Sequence, residues 1–177
     1  MSQYRISIVA VGKLKQAHRY LQTGIAHYEK LLSRRLTVTW VELPEECPTA
    51  TVPVAQVKAR EAASILRFIN KHQMEDCRVV ALSEQGKTFD SEGFAAWLQA
   101  NLPGGANPPN GGSGKRATTD MLCIVGGAYG LAPEILEQAD LVWSLSELTF
   151  PHQLVRLIIL EQLYRALSII HHEPYHK

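Results

Sequence analysis

Five consecutive apolar residues, MLCIV at 121–125, run without a polar break into Gly126 and Gly127. A strand with one wet face alternates, so a strand apolar at every position must be covered on both faces. A parallel sheet between two helical layers gives that cover, and the rest of the chain reads as its parts. Residues 6–11 form another β-branched run, closed by Gly12, and 17–32 carries Tyr20, Leu21, Ile25, Tyr28 and Leu32 at helical spacing. LTVTWVEL at 36–43 alternates like a half-buried strand. A loop with three prolines follows at 44–53, then a helix at 54–71 with Val57, Ile65, Leu66 and Ile69 as its apolar set. A third strand is predicted at 78–82. Asp90 or Ser91 caps a helix through Leu98, and Pro133 opens a short one. A fifth strand at 141–145 and a long helix at 151–170 complete an α/β domain: a mainly parallel sheet with helices on both faces. In such a sheet, function belongs at the carboxyl ends of the strands.

A length of 177 residues predicts one domain with a sizeable core. One segment breaks the regularity. Residues 102–119, LPGGANPPNGGSGKRATT, are dense in Gly, Pro and Asn and read as a mobile surface insertion, a plain spacer unless Lys115 and Arg116 meet phosphates. The formal net charge of +1 argues against a protein that coats nucleic acid, while leaving room for a locally basic face. Cys47, Cys77 and Cys123 are odd in number and widely spaced, so neither a disulfide framework nor a zinc site is expected. The first apolar stretch spans only about six residues, short of a signal h-region or a membrane span. No targeting segment and no membrane association are expected, and the chain reads as cytoplasmic.

Three glycines, Gly126, Gly127 and Gly130, are spaced G-G-x-x-G, which is not the dinucleotide fingerprint G-x-G-x-x-G. Gly86-Lys87-Thr88 resembles the end of a P-loop, but Ala81 stands where the first glycine is required. A phosphotransferase built on that segment is therefore disfavoured. There is no nucleophile elbow and no paired Cys/His spacing for a metal. The glycines are left with two uses: a tight βα turn, or a close approach of backbone to backbone or ligand. Loops at 82–87, 126–131 and 145–152 all follow strand ends, and together they would form one pocket.

GGAYGL at 126–131, LSELTFPHQLVRLIILEQLYRA at 145–166, and the terminal HHEPYHK resemble the ribosomal RNA large-subunit methyltransferase H family of the SPOUT superfamily. ISIVAVGK and VVALSEQGK are similar to that family too, so the resemblance covers nearly the whole chain apart from 102–119 and the 44–53 loop. The resemblance implies a homodimer whose C-terminal segment threads a trefoil knot, an exception to the rule against knotted chains. It implies methylation of N3 of a pseudouridine in the helix 69 loop of 23S ribosomal RNA within the 70S ribosome, with S-adenosylmethionine as donor. Carried over by residue, the cofactor contacts are Leu82, Gly126, Leu145, Ser146, Glu147, Leu148, Thr149 and Phe150.

For that chemistry, in-line positioning supplies most of the rate, and a base or a cation beside the deprotonated uracil adds ~10²–10⁴-fold. The tail crowds His171, His172, Tyr175 and His176 together, while His152 and Arg156 share a helix face. His176 and Tyr175 are expected near the substrate base and Arg156 as an RNA or base-anion contact. The bland readings are a solvated tail, and an Arg165 paired with Glu161 at i,i+4. Two rivals stay open: a SPOUT methyltransferase for another RNA position, and a ribosome-associated binding protein without turnover.

Overall fold

The computed structural model describes residues 4–72, 77–107 and 120–175. Strand β1 (Tyr4–Val11) is followed by a turn of 3-10 helix at Gln16–His18, α1 (Arg19–Leu32), β2 (Leu36–Leu43), α2 (Val54–Lys71) and β3 (Arg78–Lys87). Then come α3 (Ser91–Asn101), β4 (Met121–Val125), α4 (Pro133–Glu137), β5 (Leu141–Trp143) and α5 (His152–Ile170). The strands lie in the order β2-β1-β4-β3-β5, and every pairing between neighbours is parallel.

Parallel strands in the centre of such a sheet bury both faces, and side chains of alternate residues divide between them. Ile6, Ile8 and Ala10 of β1, with Met121, Cys123 and Val125 of β4, join the core under α1, α3 and α5. Val9 and Val11, with Leu122 and Ile124, join a second core with Ala62 and Ile65 of α2 and Ile135 of α4. The continuous apolar run at 121–125 is thus explained: each of its residues is buried, on one side or the other.

Two aspartates pin the register at the amino edge. Asp120, 4% exposed, accepts from the Arg5 amide at 2.8 Å while its own amide donates to the Arg5 carbonyl at 2.8 Å, locking β4 to β1. Asp140 accepts from the Val79 amide at 2.7 Å and from Arg78 Nη1 at 2.6 Å, locking β5 to β3. A one-residue slip would turn each apolar set to the wrong face, so these ties protect both cores.

Two expectations need correction. The 102–119 segment does not begin at the surface, since Leu102 is 2% exposed and packs in the larger core. The backbone there folds back, with the Asn107 amide on the Ala100 carbonyl at 2.7 Å. Residues 108–119, including Lys115 and Arg116, lie outside the described residues. Strand β3 also continues beyond residue 82, because Trp143 of β5 pairs with both Leu82 and Lys87 and the residues between them bulge. That bulge depends on Gly86: a Cβ there would stand 2.6 Å from the Val142 carbonyl oxygen. Gly86→Ala is expected to cost about 1–3 kcal/mol through overpacking against backbone, read as a lower midpoint in urea unfolding.

Candidate active site

The carboxyl ends of β3, β4 and β5 open into one cleft of about 1020 Å³. Its walls come from the β3 bulge (Leu82, Ser83, Glu84, Gln85), the β4–α4 turn (residues 126–131) and the segment after β5 (residues 144–146 and 148–153). Of the eight residues expected at a cofactor, Leu82, Gly126, Leu145, Ser146, Leu148, Thr149 and Phe150 line this cleft. Glu147 is exposed and is not among the lining residues.

The glycines of the β4–α4 turn are crowded from two directions. A Cβ on Gly126 would lie 2.9 Å from the backbone of Gly130 and Leu131, because the turn folds back on its own stem. A Cβ on Gly127 would lie 2.9 Å from Glu61 Oε1. The Gly130 amide closes the turn on the Gly127 carbonyl at 3.1 Å, and Gly130 takes φ +74°, a left-handed conformation that favours glycine. Gly126 and Gly127 therefore make room for protein rather than leaving an open hollow.

Glu61 supports the cleft from outside its lining, and sequence reasoning misses it, since it sits on the buried face of α2 beside Val57, Ala62 and Ile65. Only 4% exposed, its carboxylate accepts from the Glu46 amide at 3.2 Å and from backbone at Gly127, joining the β2–α2 loop to the glycine turn. Burial pushes its pKa up, and the neighbouring Glu45 and Glu46 push the same way against the two backbone bonds. Its one signal in the sequence is a charge at an otherwise apolar helical position.

The segment after β5 is held by its own polar groups. Ser144 Oγ donates to the Ser146 carbonyl at 2.8 Å, the Leu148 amide donates to Ser146 Oγ at 3.1 Å, and Thr149 Oγ1 donates to Glu84 Oε2 at 3.0 Å. The last bond links two walls of the cleft. Pro151 then leads into α5, where His152 also lines the cleft with Nε2 buried and without a hydrogen-bond partner. Burial lowers the pKa of His152 and so favours the neutral ring, opposed by Glu45 and helped by Arg156 and His18.

Among the described residues, no group of three metal-ligating side chains is brought together, and no helix is long and apolar enough to cross a membrane. Residues 4–176 match the family model described as "Predicted SPOUT methyltransferase". The "Ribosomal RNA large subunit methyltransferase H" of Desulforamulus reducens is 39% identical over 98% of this chain and 99% of its own length. This chain belongs to that SPOUT methyltransferase family. The proteins of the same name from Carboxydothermus hydrogenoformans and Syntrophotalea carbinolica are 40% and 37% identical, each over 97% of this chain and 99% and 98% of their own. Among solved structures, the A. aeolicus TrmH/SpoU tRNA modifying enzyme superposes with a TM-score of 0.48 at 12% identity, covering 98% of this chain and 81% of that one. At that distance the assignment rests on the sequence matches.

In this SPOUT methyltransferase chain, Arg156 is not at a surface open to RNA, contrary to expectation. It is 1% exposed, with Nη1 donating to Glu42 Oε1 at 2.7 Å and Nη2 donating to the carbonyls of Gly12 at 2.6 Å and Val11 at 3.2 Å. Its two Nη groups join the ends of β1 and β2 to α5, while the buried Nε makes no hydrogen bond among the described residues. Tyr175 is also away from the cleft of its own chain. Its hydroxyl lies 3.2 Å from both Tyr28 Oη and Glu161 Oε1, and its ring packs edge-on against Tyr164. Glu161 and Arg165 stand roughly 14–20 Å along the helix from His152 at 1.5 Å per residue. Burial raises the Tyr175 pKa, with Tyr28 and Glu161 adding to the shift, so the phenol stays protonated. Arg165 pairs with Glu161 as the i,i+4 spacing suggests. His176 lies outside the described residues.

Arg156→Ala is expected to destabilise the fold by about 3 kcal/mol, because it strips a buried hub and leaves carbonyls unpaired. Thermal unfolding checks this. Glu61 gives a pH-dependent expectation. Its folded-state pKa lies above the unfolded value, so the native form takes up the proton first and wild-type stability falls as pH rises through that interval. In Glu61→Gln this component vanishes, as urea midpoints measured from pH 4.5 to 7 would reveal.

Proposed function

We propose that this protein transfers a methyl group from S-adenosylmethionine to N3 of a pseudouridine in the helix 69 loop of 23S ribosomal RNA. It acts in the cytoplasm on the 70S ribosome, as a homodimer. The observation that carries this reading is the cleft, in which three loops separated in sequence converge with seven of the residues expected at the donor. The names of its relatives support methylation of large-subunit ribosomal RNA, and nucleotide, donor and dimer belong to the proposal.

The lining has the chemistry the donor needs. Leu82, Val125, Leu131 and Leu136 offer apolar walls for adenine, while Ser146, Thr149 and Glu84 offer partners for hydroxyl and ammonium groups. S-adenosylmethionine supplies a methyl group activated by a sulfonium centre. The chain's own part is to hold the base in line with it, which contributes up to roughly 7–11 kcal/mol in favourable cases. As the N3–methyl bond forms, the N3 proton must leave, and His176 is assigned as its acceptor. Tyr175, held protonated, serves as a hydrogen-bonding group and not as the base. Arg156 acts at a distance, by fixing the strand ends that carry the cleft.

The homodimer draws support from Tyr175, which packs against residues about 2.5–3.6 helical turns beyond His152 and so reaches a cleft only if a second copy supplies it. Leu154, Ile158 and Ile169 of α5 are half-buried and give such a copy apolar surface to cover. The trefoil knot that the resemblance implies is part of the same proposal.

The test is methyl transfer from labelled S-adenosylmethionine to 70S ribosomes lacking the modification, with separated large subunits alongside and the modified nucleotide mapped. Label is expected at the helix 69 pseudouridine, and His176→Ala is expected to lose ~10²–10⁴-fold in turnover with donor affinity kept. Label at a different nucleotide would move the assignment to another RNA position. Donor binding without label would make the chain a binding protein.

A further inference from the structure

We propose that Tyr129, with Leu148 facing the same cleft, receives the target nucleobase by stacking; this rests on the reading that the cleft holds a methyl donor for RNA. Tyr129 occupies the tip of the β4–α4 turn. The stem of that turn is buried at Gly126 and Gly127 and braced by Leu131 and Glu61, while Ala128, Tyr129 and Gly130 at the tip are exposed. A donor seated against the stem leaves the tip facing whatever enters from solvent.

The surface at that mouth is unusual. Tyr129 is 43% exposed and Leu148 is 71% exposed, and these are two of five large apolar side chains exposed among the described residues. Both line the cleft, one from each of two loops. Neither loop is loosely held: the Gly130 amide closes one on Gly127 at 3.1 Å, and Ser146 Oγ takes the Leu148 amide of the other at 3.1 Å. A rigid aromatic ring in water beside a reactive centre wastes apolar surface unless something flat covers it. Single-stranded or extruded RNA bases present such a flat face, and aromatic side chains are their usual platform. Leu148, from the second loop, adds exposed apolar surface to the same cleft. Because every base has a π-face, Tyr129 contributes affinity and placement, whereas choice of the reacting atom stays with the donor geometry.

The test compares wild type, Tyr129→Ala, Tyr129→Phe and Tyr20→Ala, the last a control at an exposed tyrosine that does not line the cleft. Three quantities are read: the Kd for S-adenosylmethionine by calorimetry, the Kd for 70S ribosomes by filter binding, and the KM for ribosomes in methyl transfer. Tyr129→Ala is expected to raise the ribosome Kd and KM by roughly 5- to 150-fold, the range of one base stacked on one aromatic ring. Its donor Kd should stay within about twofold of wild type, and Tyr129→Phe, which keeps the ring, should restore ribosome affinity. A weakened donor Kd with an unchanged ribosome Kd would overturn the proposal by giving the ring to the cofactor. A change in oligomeric state on gel filtration would overturn it by giving the ring to an interface, and no change in any quantity would overturn it by reducing Tyr129 to an ordinary surface residue. Failure of the wild type to label ribosomal RNA would instead defeat the underlying reading, while the ribosome Kd still decides whether Tyr129 binds RNA.

Discussion

Arg156 brings a guanidinium into the carboxyl edge of the sheet, where it holds the carbonyls of Val11 and Gly12 and the carboxylate of Glu42. Three segments meet in those bonds: the end of β1, the end of β2 and the first turns of α5. Glu42 in turn accepts the Leu14 amide at 2.9 Å, which fixes the loop leaving β1. Since His152 lies one turn before Arg156 on the same helix, the hub also sets where that ring enters the cleft wall. A charged group this deep is tolerated only when paired and hydrogen-bonded, and here the pairing ties together the functional edge.

Around that hub, the cleft is built of braced stems and open tips. The glycine turn is braced by its own backbone at Gly126 and by Glu61 at Gly127, and the loop after β5 is braced by Ser144, Ser146 and Thr149. Holding these loops by the chain's own hydrogen bonds reduces the entropy that must be lost when a ligand binds. The exposed residues at their tips, Tyr129 and Leu148, are then presented in fixed positions.

Much of this architecture is legible in the sequence, for reasons tied to period and punctuation. β2, α2 and β4 fall at their expected residues, because alternation, helical spacing and an unbroken apolar run are local signals. The extension of β3 is not legible, since it depends on Trp143 of β5 pairing twice across a bulge. Arg156 misleads for a similar reason: an arginine near an expected RNA site looks like a phosphate contact, and only the meeting of β1, β2 and α5 buries it. Leu102 likewise opens a Gly- and Pro-rich stretch but belongs to the core reached from α3. Within the site, the segments at 126–131 and 145–152 follow from the positions of the strand ends, 82–85 reaches the cleft as a bulge of β3 and not as the expected loop, and Glu61 and Tyr129 carry no motif. Their roles come from what stands across the turn from them.

The β3 bulge, the glycine turn and the segment after β5 are proposed together as the donor site. Hydrogen exchange of the backbone amides, with and without saturating S-adenosylmethionine, tests it most directly. Added protection is expected at residues 82–86, 126–131 and 144–150, with the amino edge around Asp120 and Asp140 unchanged. Protection confined to another part of the chain, or none at a donor concentration shown to bind, would contradict it.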